Sequence, residues 1–126
     1  MSNLCTCESG RPFEACCQPI LTGVPAESAE ALMRSRFTAY ALGDSDYLLK
    51  SWHPTTRPPS IALNPNQKWL GLKIKDTTTG DQESYVEFVA RFKIDGRGHR
   101  LHERSRFLKE DQDWFYVDGE LMASSR

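Results

Sequence analysis

The chain has 126 residues, 39% of them hydrophobic and 26% charged, which bounds it to one globular domain with room for a small appendage. Its formal net charge of −1 sets up no global field toward nucleic acid, and no stretch approaches the roughly 20 apolar residues of a membrane helix. Charge is uneven all the same: residues 51–80 carry four basic side chains and one acidic, residues 81–126 eight basic and ten acidic.

All four cysteines, Cys5, Cys7, Cys16 and Cys17, lie in the first seventeen residues in the pattern C-x-C-x₈-C-C. One tight turn can aim Cys5 and Cys7 at one point. Gly10 can turn the chain back, and a short helical turn over Arg11–Ala15 can deliver Cys16 and Cys17. Four thiolates so gathered read as one tetrahedral zinc site, with Arg11 and turn N–H groups as donors that offset its negative charge. Disulfides, free thiols and an iron–sulfur centre are the alternatives. A bridge between the adjacent Cys16 and Cys17 would be strained. The N-terminus lacks the basic region and apolar run of a secretory signal, so a reducing, cytoplasmic setting is expected, where thiols persist. A redox-active pair would want C-x-x-C, which is missing.

The stretch C-x-C-x-S-G-x₅-C-C resembles the SEC-C motif, the zinc knuckle found at the C-terminus of the preprotein translocase motor SecA. The motif has Gly where this chain has Glu8. The resemblance implies that the four cysteines are zinc ligands, that residues 1–20 form the knuckle, and that the knuckle contacts a protein partner.

Pro19 to Ala26 reads as a connector. Ser28 is a good N-cap for a helix running to about Leu42, where Gly43 stops it. Met33, Phe37, Tyr40 and Ala41 fall on one face, widened by Leu32 and Ala39. Arg34 and Arg36 lie about 200° apart on that helix, so one of them must approach its apolar side. Asp44 or Ser45 caps a second helix through Trp52, ended by His53-Pro54. A proline-rich loop follows to Lys68, with one helical turn expected at Ser60–Leu63. The remainder alternates as antiparallel strands. Trp69–Asp76 turns Leu70, Leu72 and Ile74 to one side. Ser84–Ile94 turns Val86, Phe88, Ala90, Phe92 and Ile94 to the core. Asp95-Gly96 marks a hairpin before His99–Lys109, and Trp114–Asp118 is the last strand.

Two helices followed by a meander predict an α+β domain over residues 27–120, a cone of helices on a curved antiparallel sheet that resembles the NTF2-like fold. The segments Ala29–Phe37, Trp52-His53-Pro54 with Thr56-Arg57-Pro58, and Glu103–Phe107 followed by Trp114–Gly119 resemble the YchJ-like bacterial family. Its members place a SEC-C motif before an NTF2-like domain, and the resemblance brings no settled activity.

On the strand His99–Lys109, Leu101, Glu103, Ser105 and Phe107 share the inward face. Glu103 there needs a partner. A structural ion pair with Arg36 or Arg57 is the plainer expectation, and a ligand contact the other. The candidate pocket set is Arg36, Tyr40, Trp52, His53, Arg57 and Glu103. The outward face carries Arg100, His102, Arg104 and Arg106, a stripe expected to be balanced by neighbouring acids. No P-loop, dinucleotide fingerprint, nucleophile elbow or H-E-x-x-H occurs. The favoured expectation is a zinc-containing binding or adaptor protein, with the knuckle meeting a protein partner and the NTF2-like body as scaffold or small-ligand receptor. An acid/base enzyme using Glu103, Tyr40 or His53, and an RNA- or ribosome-associated protein using the basic stripe, are the alternatives. A homodimer through the open sheet face is compatible with the fold.

Overall fold

A computed structural model describes residues 4–122. A 3₁₀ turn (Phe13–Ala15) leads into α1 (Cys17–Leu21), α2 (Ala29–Leu42) and α3 (Ser45–Lys50). Four antiparallel strands follow in the order β1-β2-β3-β4: β1 (Gln67–Thr79), β2 (Glu83–Ile94), β3 (Arg97–Glu110) and β4 (Asp113–Leu121). This is the α+β architecture expected from the sequence. No described helix is long and apolar enough to cross a membrane.

Local chemistry sets the helix ends. Ser28 Oγ accepts the Ala31 N–H at 3.0 Å, and Gly43 closes α2 in the left-handed region (φ 78°). Asp44 Oδ1 caps α3 through the Tyr47 N–H at 3.1 Å. Both later hairpins have two-residue turns with positive φ at each position: Asp95 (51°) and Gly96 (83°), then Asp111 (51°) and Gln112 (72°). That geometry matches the twist of the paired strands.

Several boundaries differ from expectation, each for a local reason. The segment Pro19–Ala26 is not all connector, because Gln18 to Leu21 continue from Cys17 as α1. No helix forms at residues 60–63; Ile61 and Leu63 instead lay their side chains on the core from an extended loop. In β1 the alternation breaks. Pairing passes from Trp69↔Phe92 to Gly71↔Arg91, so Leu70 is an extra residue, expelled to 49% exposure. The bulge keeps Trp69 and Leu72 on the core side. β1 also runs three residues further than expected, to Thr79.

Helix α2 is buried on two sides. Met33, Phe37 and Ala39 belong to one core with Leu72, Val86, Phe88, Ala90 and Phe107 of the sheet. Ser35 and Thr38 are buried as well, and Ala41, expected on the core face, is exposed. The polar side of the helix faces the cysteine segment and α3. The Ser35 hydroxyl bonds the Leu32 carbonyl and lies 2.6 Å from the Tyr47 hydroxyl, and Thr38 donates to Cys17. Of the two arginines, Arg36 is the one driven inward. Its guanidinium donates to the Leu48 carbonyl (2.8 Å) and to Ser51 Oγ (2.6 Å), and lies 4.5 Å from the Tyr116 ring centroid and 5.1 Å from that of Trp52. Burial favours its neutral form, and the tyrosines around it oppose that. The charge is held by satisfied donors and ring faces instead of an acid.

Arg36 therefore joins α2, α3 and β4 at one point. Arg36→Ala should destabilise the fold by about 3 kcal/mol, because it removes two hydrogen bonds and opens a void between two rings. Arg36→Met, which keeps the packing, should lose about half as much. Chemical denaturation midpoints compare the two.

Candidate metal centre

The cysteine segment is built from short backbone bonds. Cys5 N–H donates to the Arg11 carbonyl (2.8 Å), Glu8 N–H to the Cys5 carbonyl (3.0 Å) and Cys16 N–H to the Phe13 carbonyl (3.0 Å). These close the turn after Cys7 and start the helical turn that delivers Cys16 and Cys17. All four Sγ atoms lie within 4.8 Å of one another, and all four residues are buried. Cys7 Sγ is 3.6 Å from Cys16 Sγ, which is 3.9 Å from Cys17 Sγ. A tetrahedral thiolate centre with metal–sulfur bonds of about 2.3 Å requires sulfurs about 3.8 Å apart. The cysteines form no disulfide in this geometry, and the spacing fits a metal ion.

Left to protons alone, the cluster is uneven. A hydrogen bond from Cys17 pushes the Cys7 thiol down to about 4, and the same contact pushes Cys17 up. Burial raises Cys5. A dication would serve all four sulfurs at once.

The donors around the sulfurs come largely from α2. Arg34 Nη1 donates to the Cys7 carbonyl at 2.7 Å and lies 3.9 Å from Cys7 Sγ, while its Nε pairs with Glu30 at 3.0 Å. Thr38 Oγ1 donates to Cys17 Sγ at 3.3 Å, and Ser9 Oγ sits 3.0 Å from Cys16 Sγ. Arg11, expected in this role, is exposed and contributes its backbone to the turn. Sequence reasoning missed Arg34 and Thr38, although their four-residue spacing on one helix face was a readable signal. The knuckle is thus no appendage: its cysteines share one apolar cluster with Ala29, Leu32 and Met33.

Glu8 stands at φ 63°, a conformation natural to glycine. Its carboxylate explains why a glutamate is held there. Oε1 accepts the N–H of Leu72 at 3.1 Å, just past the β1 bulge, and ties the knuckle turn to the outer strand.

The second group of candidates divides. Arg36, Tyr40 and Glu103 line a cavity of about 210 Å³ between α2 and the sheet, closed otherwise mainly by Phe37, Trp69 and Tyr116. Trp52, His53 and Arg57 do not line it. Trp52 stacks edge-on against Tyr116 behind Arg36. His53 is buried, with Nε2 2.6 Å from Glu110 and Nδ1 accepting the Thr55 N–H. Arg57 is exposed and donates to the Trp52 carbonyl. The expected ion pair of Glu103 with either arginine does not form among the described residues. Arg36 is committed to α3, Arg57 lies outside, and Glu103 accepts instead from the Ser105 hydroxyl at 2.7 Å. Gly119 leaves the space that the Glu103 carboxylate occupies. Burial pushes the Tyr116 hydroxyl well above its ordinary range, with the Glu103 charge adding to the shift. The outer stripe is balanced only in part, by Asp118 from the expected acids and by Glu83 and Glu87 of β2, and Arg100 has no acidic partner within 4.0 Å among the described residues. His102 bonds Glu87, Arg104 stacks on Tyr85, and Arg106 bridges Glu83 and Asp118.

The Glu8 tie gives a graded expectation. Glu8→Ala loses a charged hydrogen bond and keeps the backbone strain, for about 2 kcal/mol. Glu8→Gly relieves the strain and should cost about 1 kcal/mol less than Glu8→Ala. Urea denaturation of the metal-loaded variants tests the order.

Comparison with known proteins agrees with this architecture. Residues 28–119 match the family model for the YchJ middle NTF2-like domain, and residues 1–19 the model for the SEC-C motif. A UPF0225 protein of Polaromonas naphthalenivorans is 52% identical over 111 residues, covering 86% of this chain and 82% of that one. Another, of Chromobacterium violaceum, is 50% identical over 123 residues, covering 91% and 90%. The solution structure of a SEC-C motif containing protein from Rhodopseudomonas palustris superposes with a TM-score of 0.86 at 34% identity, over 98% of this chain and all of that one. The crystal structure of a SEC-C motif containing protein from Psychrobacter arcticus, at 24% identity, shares the fold with a TM-score of 0.76 over 100% of this chain and 85% of that one. With buried cysteines docked on the first long helix of an NTF2-like domain, and with these relatives, the chain belongs to the UPF0225 family of SEC-C motif proteins.

Proposed function

We propose that this chain is a cytoplasmic binding or adaptor module whose SEC-C knuckle holds one structural zinc ion and meets a protein partner. The observation that carries the reading is the closed cluster of four buried sulfurs. Four thiolates suit a soft tetrahedral metal, and they leave no coordination position for a substrate, so the metal's part is to hold shape. Cys5, Cys7, Cys16 and Cys17 are the ligands, with Arg34, Thr38 and Ser9 as the donors around them.

One side of the knuckle is fixed on α2, so a partner would meet the other side. Leu4 (64% exposed) in the knuckle and Val24 (54%) in the connector after α1 offer apolar surface. The NTF2-like body is the scaffold. Its cavity of about 210 Å³ falls below the roughly 300 Å³ of common small-molecule sites, and would suit only a small ligand meeting Glu103, Tyr40 and the Tyr116 hydroxyl.

Two experiments test this. Elemental analysis of protein purified without added metal should find one zinc per chain, with four thiols released on chelation; a metal-free, thiol-free protein would end the reading. For the partner, co-purification from cells should yield one stoichiometric protein with the natural chain. The pair Leu4→Glu/Val24→Glu should retain zinc and weaken that complex at least about tenfold, as loss of a central apolar contact does. Equal recovery by both would place the contact elsewhere.

A further inference from the structure

Outside the knuckle and the inner cavity, a strongly basic open cleft of about 600 Å³ lies on the outer side of β1, β2 and β3. Lys73, Lys75, Arg91 and Arg100 line it, over a floor that includes Val89, and Glu8 and Arg34 mark its knuckle side. None of those four cations has an acidic partner within 4.0 Å among the described residues, although the neighbouring arginine Arg106 has two. The nearest acid is Glu8, whose carboxylate and the Arg91 guanidinium both lie over Gly71 without forming an ion pair, so one acid faces four cations.

The register makes this arrangement costly. Arg91 and Arg100 are direct cross-strand partners, so two guanidinium groups share one face of a central strand pair. Like charges placed opposite each other destabilise a sheet. Lysines on β1 need no further account, since an outer strand is commonly guarded by them. The Arg91–Arg100 pair guards no edge. A chain with net charge −1 that concentrates unpaired cations at one place is arranged to receive an anion there.

Two observations favour an acidic protein segment over nucleic acid. No aromatic side chain lines the cleft, so bases would find no stacking platform. The cleft also runs along β1, whose Lys73 and Lys75 border the outer edge of the sheet, where an extended chain can lie. We propose that the cleft formed by Lys73, Lys75, Arg91 and Arg100 is a docking site for an extended, acidic segment of a partner protein. The proposal rests on the adaptor reading for the partner being a protein, and it concerns a surface separate from Leu4 and Val24.

The test is fluorescence anisotropy on the intact, metal-loaded chain with a labelled Glu/Asp-rich peptide about 12 residues long, enough to span the strands at roughly 3.3 Å per residue. Binding should weaken as salt rises from about 50 to about 200 mM, as screening shortens. Arg91→Gln/Arg100→Gln should weaken it at least about tenfold, while Arg106→Gln, outside the cleft, should change it less than about twofold. The double variant should also melt at the same or a higher temperature than the natural chain, since it removes a repulsive pair; a purely structural role for the arginines predicts the reverse. Leu4→Glu/Val24→Glu should bind the peptide normally, so loss of the knuckle partner and loss of this site read separately. Absence of peptide binding at low salt, or equal binding by the double variant, overturns the proposal. Tighter binding of single-stranded RNA of the same length, lost in the double variant, would overturn it in favour of nucleic acid.

Discussion

The structure depends on helix α2 having to satisfy two unlike neighbours. Its apolar side meets the sheet, and its polar side meets sulfur. Thr38 and Arg34 supply hydrogen bonds to the cysteine segment, and Arg36, two residues from Arg34, reaches the opposite way to α3 and β4. A helix between two such surfaces cannot slide or rotate without breaking one set of contacts.

This explains why a four-cysteine segment can belong to the core of a small domain. Sulfur clusters are apolar at their periphery and charged at their centre. Buried thiolates need both a cation and donors, and the helix offers the donors at fixed spacing. The same logic governs Arg36, whose charge is accepted by carbonyl, hydroxyl and ring faces. There a buried charge sits among oriented dipoles, which costs less than leaving it bare in an apolar interior.

Much of the fold was legible because it rests on short-range rules. The Ser28 and Gly43 caps, the Asp95-Gly96 turn and the alternation from Val86 to Ala90 each act within a few residues. The cysteine pattern was legible for the same reason. What could not be read depended on encounters distant in sequence. Leu70 reads as core until a bulge turns it out, and the one local signal of it is the adjacent Gly71, a residue without a side chain inside a strand. Glu103 reads as an ion-pair partner until α3 and Ser51 claim Arg36. His53 reads as a pocket residue until Glu110, 57 positions away, takes its ring nitrogen. Ala41 reads as buried, yet α2 turns Ser35 and Thr38 inward, a choice made by the knuckle and α3.

The Glu8 carboxylate covers the Leu72 N–H on the open side of β1, and the segment Ser51–His53 pairs with Tyr116 along β4, so each outer strand of the sheet has a keeper. The keeper of β1 belongs to the cysteine segment. A chain starved of metal would release that turn and bare a donor on its outermost strand while the sheet itself stayed folded. Its characteristic fault would then be adhesion between copies, strand to strand, ahead of any melting of the core. The metal would act in that sense as a safeguard of solubility as much as of shape.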